Sequence, residues 1–251
     1  MKYLVALILI IVSGLSACDS RKPAPFSTEV LDTVKTVPAA ITAEPFLFEK
    51  AFIKGTTQLL NDSTIYLYGV NIGKLKISSG TITACDPLHI DEYGIPFTRQ
   101  FPNGEFPVQL AIAKLGREEK IAFARINFSD EPVVKWEFAL TKNQEALPVG
   151  GKEMHGYGVD GSVGIFADAK AIKSLVIENP TSLNDTFYRE MNKHNHYDWR
   201  YNMHDFGPHN VAIFTTGEGD GYYATYVGLD KSGQPCRLLS DFNIFKWKKF
   251  E

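Results

Sequence analysis

Apolar residues in this chain fall into short runs with β-type spacing, separated by turn-forming residues, and the pattern starts near Phe46. Runs over residues 65–70, 80–85, 106–115, 120–128 and 133–140 predict the first strands. Gly116-Arg117-Glu118-Glu119 and Ser129-Asp130-Glu131-Pro132 join the last three, and connections that short predict an antiparallel meander. In the third of these, Val134, Trp136, Phe138 and Leu140 alternate with Val133, Lys135, Glu137 and Ala139, the period of a strand with one buried face. The run before it is apolar on both sides, with Ile121 and Phe123 on one and Ala122, Ala124, Ile126 and Phe128 on the other. That predicts a central strand. A second meander is expected from 210–216, 221–229 and 236–245, with Asp230 to Pro235 as its last turn. Between the meanders Asp168 can cap a short helix over 169–176, and Ser182 or Asn184 one running to about Lys193. The expected fold class is therefore mostly β (α+β): an antiparallel, sandwich-like domain of two meanders with one or two short helices, a sandwich being favoured over a closed barrel.

Upstream the pattern changes. Lys2 precedes an apolar run over 3–12, and small residues follow up to Leu15-Ser16-Ala17-Cys18. The run is too short for a spanning helix, which needs ~20 apolar residues. A plain secretory signal is the simpler alternative, but this spacing resembles bacterial lipoprotein precursors. The resemblance implies cleavage of residues 1–17, a lipid on Cys18, attachment to a membrane through it, and residence in the bacterial cell envelope, the leaflet being left open. Pro23, Pro25, Pro38 and Pro45 stand among small and polar residues, so 18–45 reads as a tether to a single β-rich domain over 46–251.

Composition narrows the function. Hydrophobic residues make up 44% of the chain and aromatics 12%, enough for a packed core. A formal net charge of −3 with no basic block argues against nucleic acid as a partner. Cys85 and Cys236 read as two buried thiols or a disulfide, and neither has a cysteine at metal-ligand spacing beside it.

Several separated motifs occur in order: residues 80–87 from Gly80 to Pro87, Pro96-Phe97-Thr98-Arg99, Phe106-Pro107-Val108, Ala122-Phe123-Ala124-Arg125, Tyr157-Gly158-Val159-Asp160, Gly219-Asp220-Gly221 and Gly228-Leu229-Asp230. Together they resemble the bacterial domain-of-unknown-function family four-two-four-one, across about 65–245. That implies one domain and carries no reaction with it.

Three sets of residues could carry chemistry. In Gly217-Glu218-Gly219-Asp220-Gly221, Glu218 and Asp220 could offer oxygens to a divalent cation such as calcium, although a tight hairpin with Asp220 bonded to its own turn is the simpler reading. Asp86, Arg99 and Arg125 lie in apolar surroundings. Arg125 must pair or face a cleft, with Asp86, Asp160 or Asp220 as partners. Either this is a structural ion pair, or Arg99 or Arg125 grips a small anionic ligand while Asp86 acts as a base. His194, His196, His204 and His209, with Asp198 and Asp205 interspersed, could form a transition-metal set or an aromatic surface loop.

No nucleophile-elbow, metalloprotease, nucleotide-loop or kinase motif is present. The favoured reading is a lipid-anchored envelope protein whose domain binds a ligand or an envelope protein without catalysis. The rival is a metal-assisted or carboxylate-based hydrolase using Asp86, Asp160 and Asp220, with Arg125 as anion clamp. It requires Asp86, Arg125 and Asp220 to share one pocket.

Overall fold

The computed structural model describes residues 45–248 except 61 and 178–179, so the expected leader, Cys18 and all of the expected tether but Pro45 lie outside the described residues. The chain begins with a one-turn helix α1 (Leu47–Lys50), then β1 (Thr56–Leu60), β2 (Ser63–Ile77) and β3 (Ile82–Cys85). After helix α2 (Ile90–Tyr93) come β4 (Gly104–Leu115), β5 (Glu118–Asn127), β6 (Lys135–Phe138), β7 (Tyr157–Val159) and β8 (Val163–Asp168). Helices α3 (Ala169–Ile177) and α4 (Pro180–Met191) lead to β9 (Asn195–His196), β10 (Trp199–Phe206), β11 (His209–Thr215), β12 (Gly221–Leu229) and β13 (Pro235–Asp241).

Two antiparallel sheets result, giving the sandwich-like α+β fold that the patterning predicts. The first runs β1-β2-β4-β5-β13-β12-β6 with β7 also on β12, and the second runs β3-β8-β11-β10-β9. Leu75, Ile112, Ile126, Val227 and Leu238 from the first sheet meet Ile82, Phe166, Ala212 and Phe214 from the second in the inter-sheet core. On the outer face of the first sheet Phe123, Phe138 and Tyr226 are covered by Leu47 and Phe48 of α1 and by Phe245 near the C-terminal end. On the outer face of the second, Ile165 and Ile213 are covered by Ala171, Leu175 and Phe187 of the two longer helices.

The expected meanders are corrected. β5 pairs with β13, not with β6, and β6 pairs with β12. Burial explains the order: β5 and β13 are buried along both faces and take the centre, whereas half-exposed β6 ends the sheet. β11 belongs to the second sheet, so the glycine-rich segment 216–220 is a crossover between sheets and not a hairpin. Within β5 a bulge sets Ile112 opposite Ile121 and Ala111 opposite Phe123, leaving Ala122 extra. Ile121 therefore joins Ala124 and Ile126 in the inter-sheet core while Phe123 faces outward with Ala122, where simple alternation put Ile121 and Phe123 together.

Asp168 does start α3, with Oδ1 accepting the Lys170 N–H at 2.8 Å. Its Oδ2 accepts the N–H groups of Ser78 and Ser79, both at 2.7 Å, and the Ser79 hydroxyl at 2.9 Å. Burial pushes this carboxyl upward, but the donors from Ser79, Ser78 and Lys170 outweigh it and hold the group below its ordinary range. α4 starts at Pro180 rather than at the expected Ser182 or Asn184, in keeping with proline's fixed φ at a first helical turn.

Candidate functional site

One edge of β12 is shared by two short strands, β6 along Tyr226–Leu229 and β7 along Gly221–Tyr223. Residues 139–156 leave the sheet between them. There a cleft of about 280 Å³ opens between the β7–β12 edge and β3 of the second sheet. Phe97, Tyr157 and Ala84 form its buried wall, Tyr93 and Tyr222 its exposed rim, and Thr141, Gln144 and Thr225 its polar groups. None of the lining side chains is charged. Burial, the largest influence, pushes the Tyr157 phenol far above its ordinary range, so it serves as a neutral hydroxyl and not as a base. Gly156 is required because a Cβ there would come within 2.3 Å of the Tyr223 carbonyl. Gly158 is different, since a Cβ there would meet nothing within 4 Å.

Behind the cleft the turn 160–162 is held from both sheets. Asp86, 1% exposed, accepts at Oδ2 from the N–H of Asp160 at 2.7 Å and of Gly161 at 2.9 Å, and at Oδ1 from Leu88 N–H at 2.8 Å. Asp220 Oδ1 accepts the Ser162 N–H at 3.0 Å and its hydroxyl at 2.9 Å. The Tyr188 hydroxyl donates to the Gly161 carbonyl, and the largely exposed Asp160 carboxylate meets His89 Nε2 at 3.0 Å. The three predicted carboxylates are thus gathered around one turn, but Asp86 and Asp220 are engaged as acceptors for backbone donors. Asp86→Ala, which strands three N–H groups, is expected to cost about 2–4 kcal/mol in urea denaturation. A loss below 1 kcal/mol would free Asp86 for another role.

The glycine-rich crossover is closed by its own bonds. Gly219 N–H donates to Thr216 O at 2.6 Å, the Tyr223 hydroxyl donates to Gly219 O at 2.8 Å, and Gly217 and Gly219 take φ of +39° and +115°. Glu218 points away from Asp220's partners and pairs with Lys120.

Arg125 is not beside Asp86, Asp160 or Asp220. It lies on the outer face of the first sheet, where Nη1 meets Glu49 Oε1 of α1 at 3.1 Å, Nε and Nη2 donate to Gln109 Oε1, and the guanidinium sits 3.8 Å from the Phe52 ring centroid. Arg237 shares Glu49, with Nε 3.2 Å from Oε1. Burial above all, with repulsion from Arg237, brings Arg125 down to about 10 against the pull of Glu49. Glu49 has no signal in the sequence, because its segment carries no periodic pattern. Arg99 is paired as well, through Nη2 to Glu137 Oε2 at 2.7 Å, with Lys135 on the same carboxylate.

The histidines are strung along aromatic rings and do not converge. His194 stacks on Tyr201 with centroids 4.7 Å apart, and His196 on Trp199 at 4.3 Å. His204 lies edge-on to Phe187 at 5.6 Å, with Nδ1 4.0 Å from Glu190, and His209 is 5.8 Å from Phe206. Among the described residues no group of three or more His, Cys, Asp or Glu side chains could hold a metal ion. Cys85 and Cys236 are free, buried and on different sheets, and burial pushes both thiols up. Phe97, Tyr157 and Gly158 stand in the motifs that carry the family resemblance, with no chemistry of their own to mark them as a site. Their usable signal was their recurrence inside the resemblance.

No curated protein and no solved structure matches this chain. A family model described as "Protein of unknown function (DUF4241)" matches residues 75–240. That span holds every residue lining the cleft together with Asp86, Asp160 and Asp220, and leaves α1 with Glu49 outside it. Since the match covers most of the chain and the whole of the cleft, the chain belongs to the DUF4241 family.

Proposed function

We propose that this is a lipid-anchored protein of the bacterial cell envelope whose β domain binds a small uncharged ligand, or an uncharged portion of an envelope protein, in the cleft without turning it over. The observation carrying the binding reading is a neutral, ring-lined cleft at the meeting of the two sheets, inside the family match. Anchoring rests on the Leu15-Ser16-Ala17-Cys18 box. The small anionic ligand is not retained, because Arg99 and Arg125 each meet a carboxylate of the chain itself. Nor is the hydrolase, whose arginine clamp lies on the opposite face of the sheet from the cleft and whose Asp86 and Asp220 hold backbone.

Gly158→Leu supplies the test. The φ at this strand position is not left-handed and there is room for a side chain, so the fold is expected to survive while the cleft fills. Indole and benzamide, added to the full chain at a hundred times their dissociation constants, should raise stability by ~2.7 kcal/mol in wild type and not in the variant. Equal stabilisation of both would remove the cleft as the site. In a bacterial host, alkyne-palmitate should label the wild type and leave Cys18→Ser unlabelled; equal labelling of the two would remove the anchor.

A further inference from the structure

We infer that the cleft recognises an extended, uncharged peptide segment through its main chain, a reading that rests on the cleft being the binding site. In an antiparallel ladder a residue's N–H and C=O point the same way and alternate from one strand edge to the other along the chain. The Thr225 carbonyl accepts the Ala139 N–H, so Thr225, Tyr223 and Gly221 turn their backbone groups toward the edge that carries β6 and β7. Their β7 partners Tyr157 and Val159 therefore face β12, and Gly158 between them faces away. On β3 the Ile82 carbonyl accepts the Phe97 N–H at 2.9 Å, which turns Ile82 and Ala84 outward and Thr83 and Cys85 toward β8.

At each neighbouring outward position on the two edges, one backbone group is engaged within the chain. Gly156 N–H donates to the Tyr222 hydroxyl at 3.0 Å, and Asp160 N–H to Asp86 at 2.7 Å. On the other edge Ile82 is taken by Phe97, and the Asp86 carbonyl accepts the His89 N–H at 3.2 Å. Among the described residues, no strand, turn or loop takes up the outward N–H and C=O of Gly158 or of Ala84, and both residues line the cleft. Ala84 is only 5% exposed. Backbone groups that deep are nearly always paired. The cleft thus offers a donor and an acceptor on each of two strand edges that border its neutral lining.

A peptide in extended conformation supplies the complement, one donor and one acceptor per residue, as in strand addition to a sheet edge. The rings of Tyr93, Phe97 and Tyr222 suit an apolar side chain, and the lack of charge on the lining disfavours an acidic or basic one. The cleft volume, near the lower end of small-molecule sites, fits a short stretch of a partner and not a folded surface.

The experiment uses the full chain and a library of capped tetrapeptides made from uncharged residues, with a matched set N-methylated at the central amides. Binding by a subset, weakened about tenfold by N-methylation and by Gly158→Leu, is the expected result, tenfold being about one hydrogen bond. Amide exchange at Ala84 and Gly158 should slow when such a peptide is bound. Peptide binding indifferent to N-methylation would overturn main-chain recognition. So would a silent library alongside indole binding that Gly158→Leu abolishes, an outcome that leaves the cleft itself standing. Silence from peptides and fragments alike would take both readings down.

Discussion

Phe48→Ala is expected to cost about 3–5 kcal/mol, seen as a lower urea midpoint with little change in slope. Phe48 is fully buried, and its ring lies 5.6 Å from Phe123, 5.0 Å from Trp136, 4.9 Å from Tyr226 and 4.8 Å from Trp247. A four-residue helix has no stability of its own, so α1 exists because Leu47, Phe48, Ala51 and Phe52 are seated on the sheet. Removing the more deeply buried of these two phenylalanines opens a cavity ringed by aromatics that cannot collapse together. The result would place the folding unit well upstream of Leu75, where the family match begins. A loss under 1 kcal/mol would instead make α1 an ornament on a self-sufficient sheet.

The second large effect is on pH and comes from Asp241. This carboxyl is buried at the end of β13, its Oδ2 accepting from Trp247 Nε1 at 2.6 Å and its Oδ1 from Asn243 N–H at 2.9 Å. Burial raises it to about 6, against the opposing pull of Trp247, Asn243 and Lys248. The folded chain thus keeps a proton that the unfolded chain gives up near 4. The associated stability is present in full below about pH 4 and is lost as pH rises through about 6, a difference of roughly 3 kcal/mol. Asp241→Asn keeps an acceptor for Trp247 and removes the charge. It should be more stable than wild type at pH 7 to 8 and converge with it, or fall below it, near pH 4. Because Asp168 and Glu137 are shifted the opposite way and lose stability as pH falls, the quantity to compare is the variant minus wild type in urea denaturation. A difference constant across pH 4 to 8 would show that Asp241 is ionised throughout.

Local patterning predicted most of the strands. β4, β5 and β12 stand out because their apolar runs are bounded by turn residues, and β6 because Trp136 and Phe138 keep period two even though Val134 before it is exposed. Sheet membership was not legible, since the choice between β6 and β13 as neighbour of β5 is made by burial across the whole sheet. β10 was missed because Arg200, Asn202 and His204 read as a polar loop, whereas stacking of His194, His196, Trp199 and Tyr201 orders that hairpin. β7, with three residues, is below the length at which periodicity means anything. Asp86 was visible as a charge in apolar company and Asp220 as a member of the glycine-rich segment, but their task of holding the turn that contains Asp160 depends on backbone positions no sequence displays. The cleft had no local signal at all: Ala84, Phe97, Tyr157 and Tyr222 come together only through pairing of distant strands.

The Glu49 bridge has a mechanical meaning. Arg125 and Arg237 belong to β5 and β13, adjacent strands in the middle of the sheet, and Glu49 touches both. Without α1, which that clasp and its apolar side chains fix to the sheet, tension arriving from upstream of Pro45 would first reach β1, an edge strand, and could peel it from β2 one bond after another. With it, the load enters at the centre, where many ladder bonds share it at once. The domain is therefore gripped by its middle, and its outermost strand is relieved of the pull.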